Sequence, residues 1–514
     1  MNNNIKYNSV RPISDSSAPQ LYIESYGCQM NMNDSEVVLS IMQNAGYSLT
    51  EKISDATVIL VNTCSIRDNA EQRIWGRLDT FYQEKKRRKN VIIGVLGCMA
   101  ERLKEELLNN QAVDIVAGPD SYRDLPKLIS ELGSDSKQIN VTLSYEETYA
   151  DISPVRISSN GVSAFISIMR GCNNMCSYCV VPYTRGRERS REPKSIIHET
   201  QELLANGYKE ITLLGQNVDS YYWVNPDNTS DTVNFAQLLE MVALVDPKLR
   251  VRFSTSHPKD MSKGVLYTMA VYPNICNHIH LPVQSGSDNM LLKMNRKYTR
   301  EKYLERVEAI REILPDCAIS TDIIAGFCSE TEEDHLQTIS LMEQVKFDSA
   351  FMFEYSERPN TKASRQFKDD VPQEVKTKRI NEIIQLQNRL SLESNQKELG
   401  KKFEVLVEGY SKRSNEQFVG RTSQNKVCVF NCGNLKIGDY AVVEVKSCTS
   451  ATLICDLSEP DIPVSIKEDI KELGNDVKVL GKNIKNATKE IKGDIKKDIK
   501  EIKEGIKNTL NMGC

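Results

Sequence analysis

Short, almost unbroken apolar runs punctuate the first third of the chain. Residues 22–26, 57–61 and 91–96 read as strands buried on both faces. Helix-like stretches follow, such as 34–45 and 100–108. This alternation predicts an N-terminal doubly wound α/β domain. Six further strand-like runs lie at 165–169, 210–215, 251–255, 278–283, 318–325 and 350–355, too far apart for hairpins. Helical segments fall between most of them. Pro193 suits the first turn of one, and Ser329-Glu-Thr-Glu332 has the capping-box spacing that opens another. Repeated β–α units give a parallel sheet, and six of them predict a partial (β/α)6 barrel whose functional face is the strand C-terminal rim. A helix over 373–399 leads out of it. Five short runs then follow, at 403–408, 417–421, 426–430, 440–445 and 452–456, with turns at Asn431-Cys-Gly-Asn434 and Gly438-Asp439. They predict a small antiparallel β-barrel. Finally Ile466, Ile470, Leu473, Val477, Leu480, Ile484, Ala487 and Ile491 recur at alternating fours and threes, a heptad seam in a charged, amphipathic helical tail. The expected divisions are a disordered 1–19, an α/β domain at 20–145, a linker, a barrel domain at 160–398, a β-barrel at 399–460 and the tail at 461–514.

Composition narrows the class. The chain has 514 residues and a net charge of −4, so any nucleic-acid footprint must be local. Its 14 cysteines in so long a chain do not suggest a disulfide scaffold. The first twenty residues lack a basic start and an apolar core, and no apolar run approaches the ~18 residues of a membrane span. A cytoplasmic protein with no membrane and no DNA partner is expected. It is a monomer unless the tail oligomerises.

The cysteine spacing carries the chemistry. Cys172, Cys176 and Cys179 form C-x3-C-x2-C after Met169-Arg170-Gly171. Three thiolates on a 4Fe–4S cluster leave one iron open to a small molecule. A zinc knuckle would want four N/S ligands, and no fourth lies nearby in sequence. Cys28, Cys64 and Cys98 each follow a predicted strand of the first domain. Ligands in doubly wound sheets sit beyond those strand ends, so the three either converge or are separate structural thiols. Cys276, His278 and His280 alternate like ligands on a strand face but read as a packed barrel strand. Cys428 and Cys432 lack a partner pair. Arg185, Arg187, Arg189 and Arg191 occupy alternate positions after the cysteine loop, where a polyanion would arrive. Lys85–Lys89 is a basic run that reads first as a solvated turn.

With Tyr26-Gly-Cys-Gln-Met-Asn31, Asn62-Thr-Cys-Ser-Ile-Arg67, Gly97-Cys-Met99 and Val180-Val-Pro-Tyr-Thr-Arg-Gly186, the chain resembles the methylthiotransferase family of radical S-adenosylmethionine enzymes, from about Leu21 to Ser458. The resemblance implies a radical-cluster loop at Cys172, Cys176 and Cys179 and an auxiliary 4Fe–4S cluster on Cys28, Cys64 and Cys98. It implies two S-adenosylmethionine molecules per turnover, one methylating sulfur on the auxiliary cluster and one cleaved to a 5′-deoxyadenosyl radical. An external electron donor such as flavodoxin or ferredoxin is also implied. Tyr178, Gln216, Asn217, Ser254, Gln284 and Asp322 become candidates for holding S-adenosylmethionine at the rim. The C-terminal barrel corresponds to the family's RNA-gripping TRAM domain, with Lys412, Arg413 and Arg421 as phosphate contacts. Gln29-Met30-Asn31 resembles the branch that methylthiolates C2 of N6-isopentenyladenosine immediately 3′ of the tRNA anticodon. Rival readings are the branches acting on threonylcarbamoyladenosine tRNA or a ribosomal-protein aspartate, and a non-catalytic iron–sulfur RNA-binding regulator. Two loops depart from the family pattern: Asn360 replaces a glycine, and Cys328-Ser329 stands where Pro-Gly is common.

Overall fold

The computed structural model describes residues 17–65, 68–133, 136–157 and 160–459. The predicted heptad seam lies outside the described residues, as does most of the expected N-terminal segment.

The first domain is built on six parallel strands: β1 (Gln20–Ser25), β2 (Ser48–Leu49), β3 (Val58–Thr63), β4 (Ile92–Gly97), β5 (Ile115–Ala117) and β6 (Gln138–Asn140). Their order is β2-β1-β3-β4-β5-β6. Helices cover both faces, and strand alternation assigns the side chains. Val58 and Leu60 pack with Val37, Val38 and Met42 of α1 (Gln29–Asn44) on one side. Ile59 and Val61 pack with Ile74, Leu78 and Phe81, from α2 (Asp68–Arg87), on the other. The order reverses between β1 and β3, so the crevice beyond their carboxyl ends is the ligand position of such a sheet. The helix expected over 100–108 starts earlier, as α3 (Cys98–Leu103), and breaks at Lys104, which has φ 41°. Residues 144–157 form no loose linker: Tyr149 stacks on Tyr122 at 5.7 Å, and Ile157 is buried in the α1-side core.

The second domain is the expected open barrel, in two parallel halves. One half holds Ser163–Ser167, Glu210–Leu214 and Arg250–Ser254; the other holds His278–His280, Ala318–Ala325 and Ser349–Glu354. A parallel bridge from Val251 to Ile275 links them. The run expected at 165–169 crosses a break, and Met169–Arg170 pairs instead with Arg189–Ser190. The fourth strand stops at His280, two residues before Pro282, which has no N–H for a ladder. An antiparallel hairpin, Tyr222–Asn225 with Asn228–Asn234, follows the second strand. It is largely polar and exposed, so hydrophobic patterning gave no sign of it.

Five strands close the C-terminal barrel. Closure needs one parallel pairing, between Val427–Asn431 and Leu453–Leu457, in an otherwise antiparallel ladder. This barrel docks on the N-terminal ends of the central strands. Arg250 Nη1 donates to the Arg421 carbonyl at 2.8 Å, and Arg252 Nη2 to that of Thr422 at 2.8 Å. Glu210 balances both guanidiniums, at 2.7 Å from Arg252 Nε and 3.7 Å from Arg250 Nε. No described helix is long and apolar enough to cross a membrane.

Candidate functional site

Three cysteines meet at the switch point of the first sheet. Cys28 is the N-cap of α1, in the short turn after β1; Cys64 follows β3; Cys98 opens α3 directly after β4. Gly27 makes the approach possible. It has φ +126°, and a Cβ there would overlap the Cβ of Cys64. The hydrogen bond with Cys64 draws the Cys28 thiol down, helped by the charge of Arg185 against burial. Burial pushes Cys98 up, and Arg185 opposes it.

That arginine comes from the second domain. The helical turn Val181–Thr184 lies directly after the second cysteine group and ends at Arg185. Its Nη2 donates to Asp34 Oδ2 at 2.7 Å and to Asn31 Oδ1 at 3.3 Å. Cys28 Sγ donates to the same Asn31 oxygen at 3.3 Å. Arg170 Nη1 holds the other Asp34 oxygen at 2.8 Å, and Arg189 Nη2 holds Asp120 Oδ1 at 2.9 Å. Burial alone would raise Asp34; Arg170 and Arg185 overcome it and hold the carboxyl below its ordinary range. The two domains are thus joined by a buried chain of alternating charges.

This corrects the expectation of an arginine stripe for RNA. Arg185, Arg189 and Arg191 are only 3%, 7% and 5% exposed, and Arg191 pairs with the buried Glu199. Arg187 alone of the four is exposed. The alternation read from sequence was real, but its inward face belongs to the domain interface. In the C-terminal barrel Lys412 and Arg413 are exposed beside the tip of the first hairpin. Arg421 is half-buried and pairs with Glu408 at 3.2 Å. Lys85 also turns inward, onto Asp114.

The second cysteine group is local. Gly171 has φ +78°, and a Cβ there would overlap the Arg187 carbonyl, so the loop needs glycine. Ser177 fastens the loop to the far half of the barrel, through its N–H to the Met294 carbonyl at 3.0 Å and its Oγ to that of Lys293 at 2.8 Å. Arg296 Nη1 donates to Cys176 Sγ at 3.3 Å, and its Nη2 to the Pro282 carbonyl at 2.8 Å. Sequence reading missed Arg296, which lies in a short connection with no motif to mark it. Burial pushes Cys172 up to about 11 and raises Cys179 as well.

The other rim residues are placed as follows. Gln216 Oε1 and Asn217 Oδ1 are buried without a hydrogen-bond partner, while Asn217 Nδ2 donates to Asp260 Oδ2 at 2.7 Å. Gln284 has φ +73°, and its N–H donates to the Asp322 carbonyl at 2.8 Å. Asp322 Oδ1 stands 3.4 Å from His280 Nε2, and Ser254 Oγ 3.1 Å from Thr255 Oγ1. Tyr178 packs against a cluster containing Met290, Phe327 and Tyr355. Cys276, His278 and His280 do not gather as ligands: both histidines engage Ser320 Oγ at 2.9 Å, and burial lowers His278 to about 3. Phe351 and Phe353 are 52% and 38% exposed on the last barrel strand, and Phe351 meets the His280 ring edge-on at 5.8 Å.

Both cysteine groups suit a 4Fe–4S cluster in donor chemistry. Each offers three thiols and no competing carboxylate ligand motif, with a guanidinium beside it to balance cluster charge. Among the described residues no three candidate ligands converge on a single ion. A cubane does not require that, because each thiolate binds a different iron. The unsatisfied Gln216 and Asn217 oxygens suit the amino or hydroxyl groups of S-adenosylmethionine.

The comparisons agree along the chain. Residues 20–118 match an uncharacterized protein family (UPF0004), 166–342 the radical SAM superfamily and 396–457 the TRAM domain. A radical S-adenosylmethionine methyltransferase structure from Kitasatospora setae aligns with TM-score 0.49 and 14% identity, over 65% of this chain and 73% of that one. The tRNA-2-methylthio-N(6)-dimethylallyladenosine synthase of Bacteroides thetaiotaomicron is 59% identical over 84% of this chain and 95% of its own length. The synthases of Phocaeicola vulgatus and Porphyromonas gingivalis are 58% and 56% identical, each over 86% of this chain and at least 95% of their own lengths. With three matching domains in order and relatives this similar along nearly their whole length, the chain belongs to the tRNA-2-methylthio-N(6)-dimethylallyladenosine synthase family of radical S-adenosylmethionine methylthiotransferases.

Proposed function

We propose that this enzyme transfers a methylthio group to C2 of N6-isopentenyladenosine immediately 3′ of the anticodon in tRNA. One observation carries the reading: six residues of chain, from Cys179 to Arg185, connect one three-thiol group to the other. A radical site and a sulfur-donor site must be neighbours if the same carbon is to meet both.

Cys172, Cys176 and Cys179 would hold the radical cluster, and Cys28, Cys64 and Cys98 a second cluster. When bound, these clusters and two S-adenosylmethionine molecules per turnover supply the radical and sulfur chemistry that the protein's own side chains lack. The chain's residues do the positioning. Arg296 fixes Cys176 and places a positive charge beside the thiolates. Gln216 and Asn217 offer unsatisfied oxygens to the cofactor, and Tyr178 a flat apolar wall. Gln284, Ser254 and Asp322 line the same rim. The target base must leave its stack to enter, as single-stranded RNA bases do on aromatic surfaces. Phe351 and Phe353 provide such a surface at the open side of the barrel, apolar enough for an isopentenyl group.

Lys412, Arg413 and Arg187 are the exposed cations that would contact tRNA phosphates, with Arg421 at the edge. The TRAM barrel sits at the strand ends opposite the cysteine loop, so the RNA would lie along the barrel. A flavodoxin- or ferredoxin-like donor, a cytoplasmic setting and a monomeric state complete the proposal.

Anaerobic reaction of the reconstituted enzyme with tRNA, followed by mass analysis of nucleosides, tests it. Product is expected only from tRNA already bearing the isopentenyl group. Equal methylthiolation of threonylcarbamoyladenosine tRNA or of a ribosomal protein would overturn the substrate assignment.

A further inference from the structure

Arg185 has more donors than its ion pairs use. Its guanidinium is 3% exposed, and Nη2 serves Asp34 and Asn31. Nη1 is buried with no hydrogen-bond partner. Leaving a charged donor unsatisfied in a protein interior is costly, which marks a place where a ligand completes the structure. The surroundings say what kind. Nη2 and Cys28 Sγ share the Asn31 oxygen, and the guanidinium is near enough to Cys98 to act on its thiol. Asp34, the nearest carboxylate, is already divided between Arg170 and Arg185. The guanidinium therefore lies among thiols, with Cys98 in its reach, and a sulfur anion held between them would satisfy the spare donor.

We propose that Arg185 Nη1 is the protein's hydrogen-bond donor to the transferable sulfur: an anionic sulfur ligand of the methanethiolate class at the coordination position that Cys28, Cys64 and Cys98 leave open. This rests on the reading of those three cysteines as a cluster site. It assigns Arg185 a task distinct from its link to Asp34. Because Arg185 lies six residues beyond Cys179, the loop that carries one cysteine group also carries the sulfur anchor of the other. A shift of that loop would alter the hold on the sulfur.

The test uses full-length protein with Cys172→Ala, Cys176→Ala and Cys179→Ala, reconstituted anaerobically so that only the proposed second cluster remains. Methanethiolate is titrated in, and its binding is followed by the electron paramagnetic resonance spectrum of the reduced cluster. Charge-assisted hydrogen bonds to one ligand predict that Arg185→Gln weakens methanethiolate about ten- to hundredfold. Arg185→Lys keeps the charge and a bond to Asp34 but loses the planar second donor, so it too should weaken binding, by at least about fivefold. Iron content and urea midpoint report whether each variant folds and loads. Wild-type affinity in a loaded Arg185→Gln or Arg185→Lys protein would overturn the assignment.

Should neither variant load, the unsubstituted Arg185 protein decides the matter. With nitrogen-15 in its arginines, a hyperfine coupling from guanidinium nitrogen to the methanethiolate-bound cluster is expected, and its absence refutes the contact. Failure of the parent protein to hold any cluster would instead overturn the reading of Cys28, Cys64 and Cys98, and this assignment with it.

Discussion

The two cysteine groups are assembled by opposite routes. Cys172, Cys176 and Cys179 lie in one loop, shaped by Gly171 and pinned by Ser177. Cys28, Cys64 and Cys98 are spread over 71 residues and meet only because β1, β3 and β4 are neighbours in a parallel sheet. Their electrostatics differ as well. Burial raises Cys172 and Cys179, and Cys98 with them, whereas Cys28 is drawn down by Cys64 and Arg185. A group made by a loop can be rigid within itself. A group made by a sheet depends on strand register and on a guanidinium contributed by the other domain. The first can be altered locally; the second is a property of the assembled molecule.

The strongest way to break this comparison is to remove each group in turn. Replacing Cys172, Cys176 and Cys179 by Ala should abolish cleavage of S-adenosylmethionine and leave one cluster by iron and sulfide analysis. Replacing Cys28, Cys64 and Cys98 should also leave one cluster, but retain cleavage to 5′-deoxyadenosine while stopping methylthiolation. Identical loss of cleavage in both proteins would erase the distinction.

The two glycines come next. Gly27→Ala puts a Cβ onto Cys64 at positive φ and should cost about 1–3 kcal/mol locally. Its iron content should fall toward that of a single cluster, with S-adenosylmethionine cleavage retained. Gly171→Ala meets the Arg187 carbonyl and should lose cleavage instead. Loss of both activities from Gly27→Ala would mean that the sheet group supports the loop group.

Arg296 offers a finer contrast with Arg185. Arg296→Gln deletes the donor to Cys176 and should slow S-adenosylmethionine cleavage roughly tenfold, as expected for one charge-assisted hydrogen bond. Single-turnover assays of 5′-deoxyadenosine would detect it. Methanethiolate binding at the other cluster should be unchanged.

The smallest effects lie at the RNA surface. Replacing Lys412, Arg413 and Arg187 by Gln should each lower the slope of log affinity for tRNA against log salt by roughly 0.7 to 0.9 per lost phosphate contact. Filter binding over a salt series measures this. Arg189→Gln should leave the slope intact, because Arg189 is buried against Asp120.

Apolar runs determined β1, β3 and β4 and the central domain's strands, because a buried strand leaves a hydrophobic signature, whereas β2, β5 and β6, of two or three residues each, were too short to show one. Cysteine spacing determined the loop group, because its ligands need only local chain geometry. The family motifs carried the pairing of Cys28, Cys64 and Cys98, which spacing alone left open. The polar hairpin at Tyr222–Asn234 stayed invisible because it buries little. Arginine alternation after Cys179 showed in the sequence, but its direction did not. Whether Arg185, Arg189 and Arg191 face solvent or Asp34, Asp120 and Glu199 depends on acids 8 to 151 residues away in the chain. For Arg185 and Arg189 the docking of the two domains decides that, and for Arg191 the fold of the central domain, since a charge becomes structural only when its partner is brought within a few ångströms.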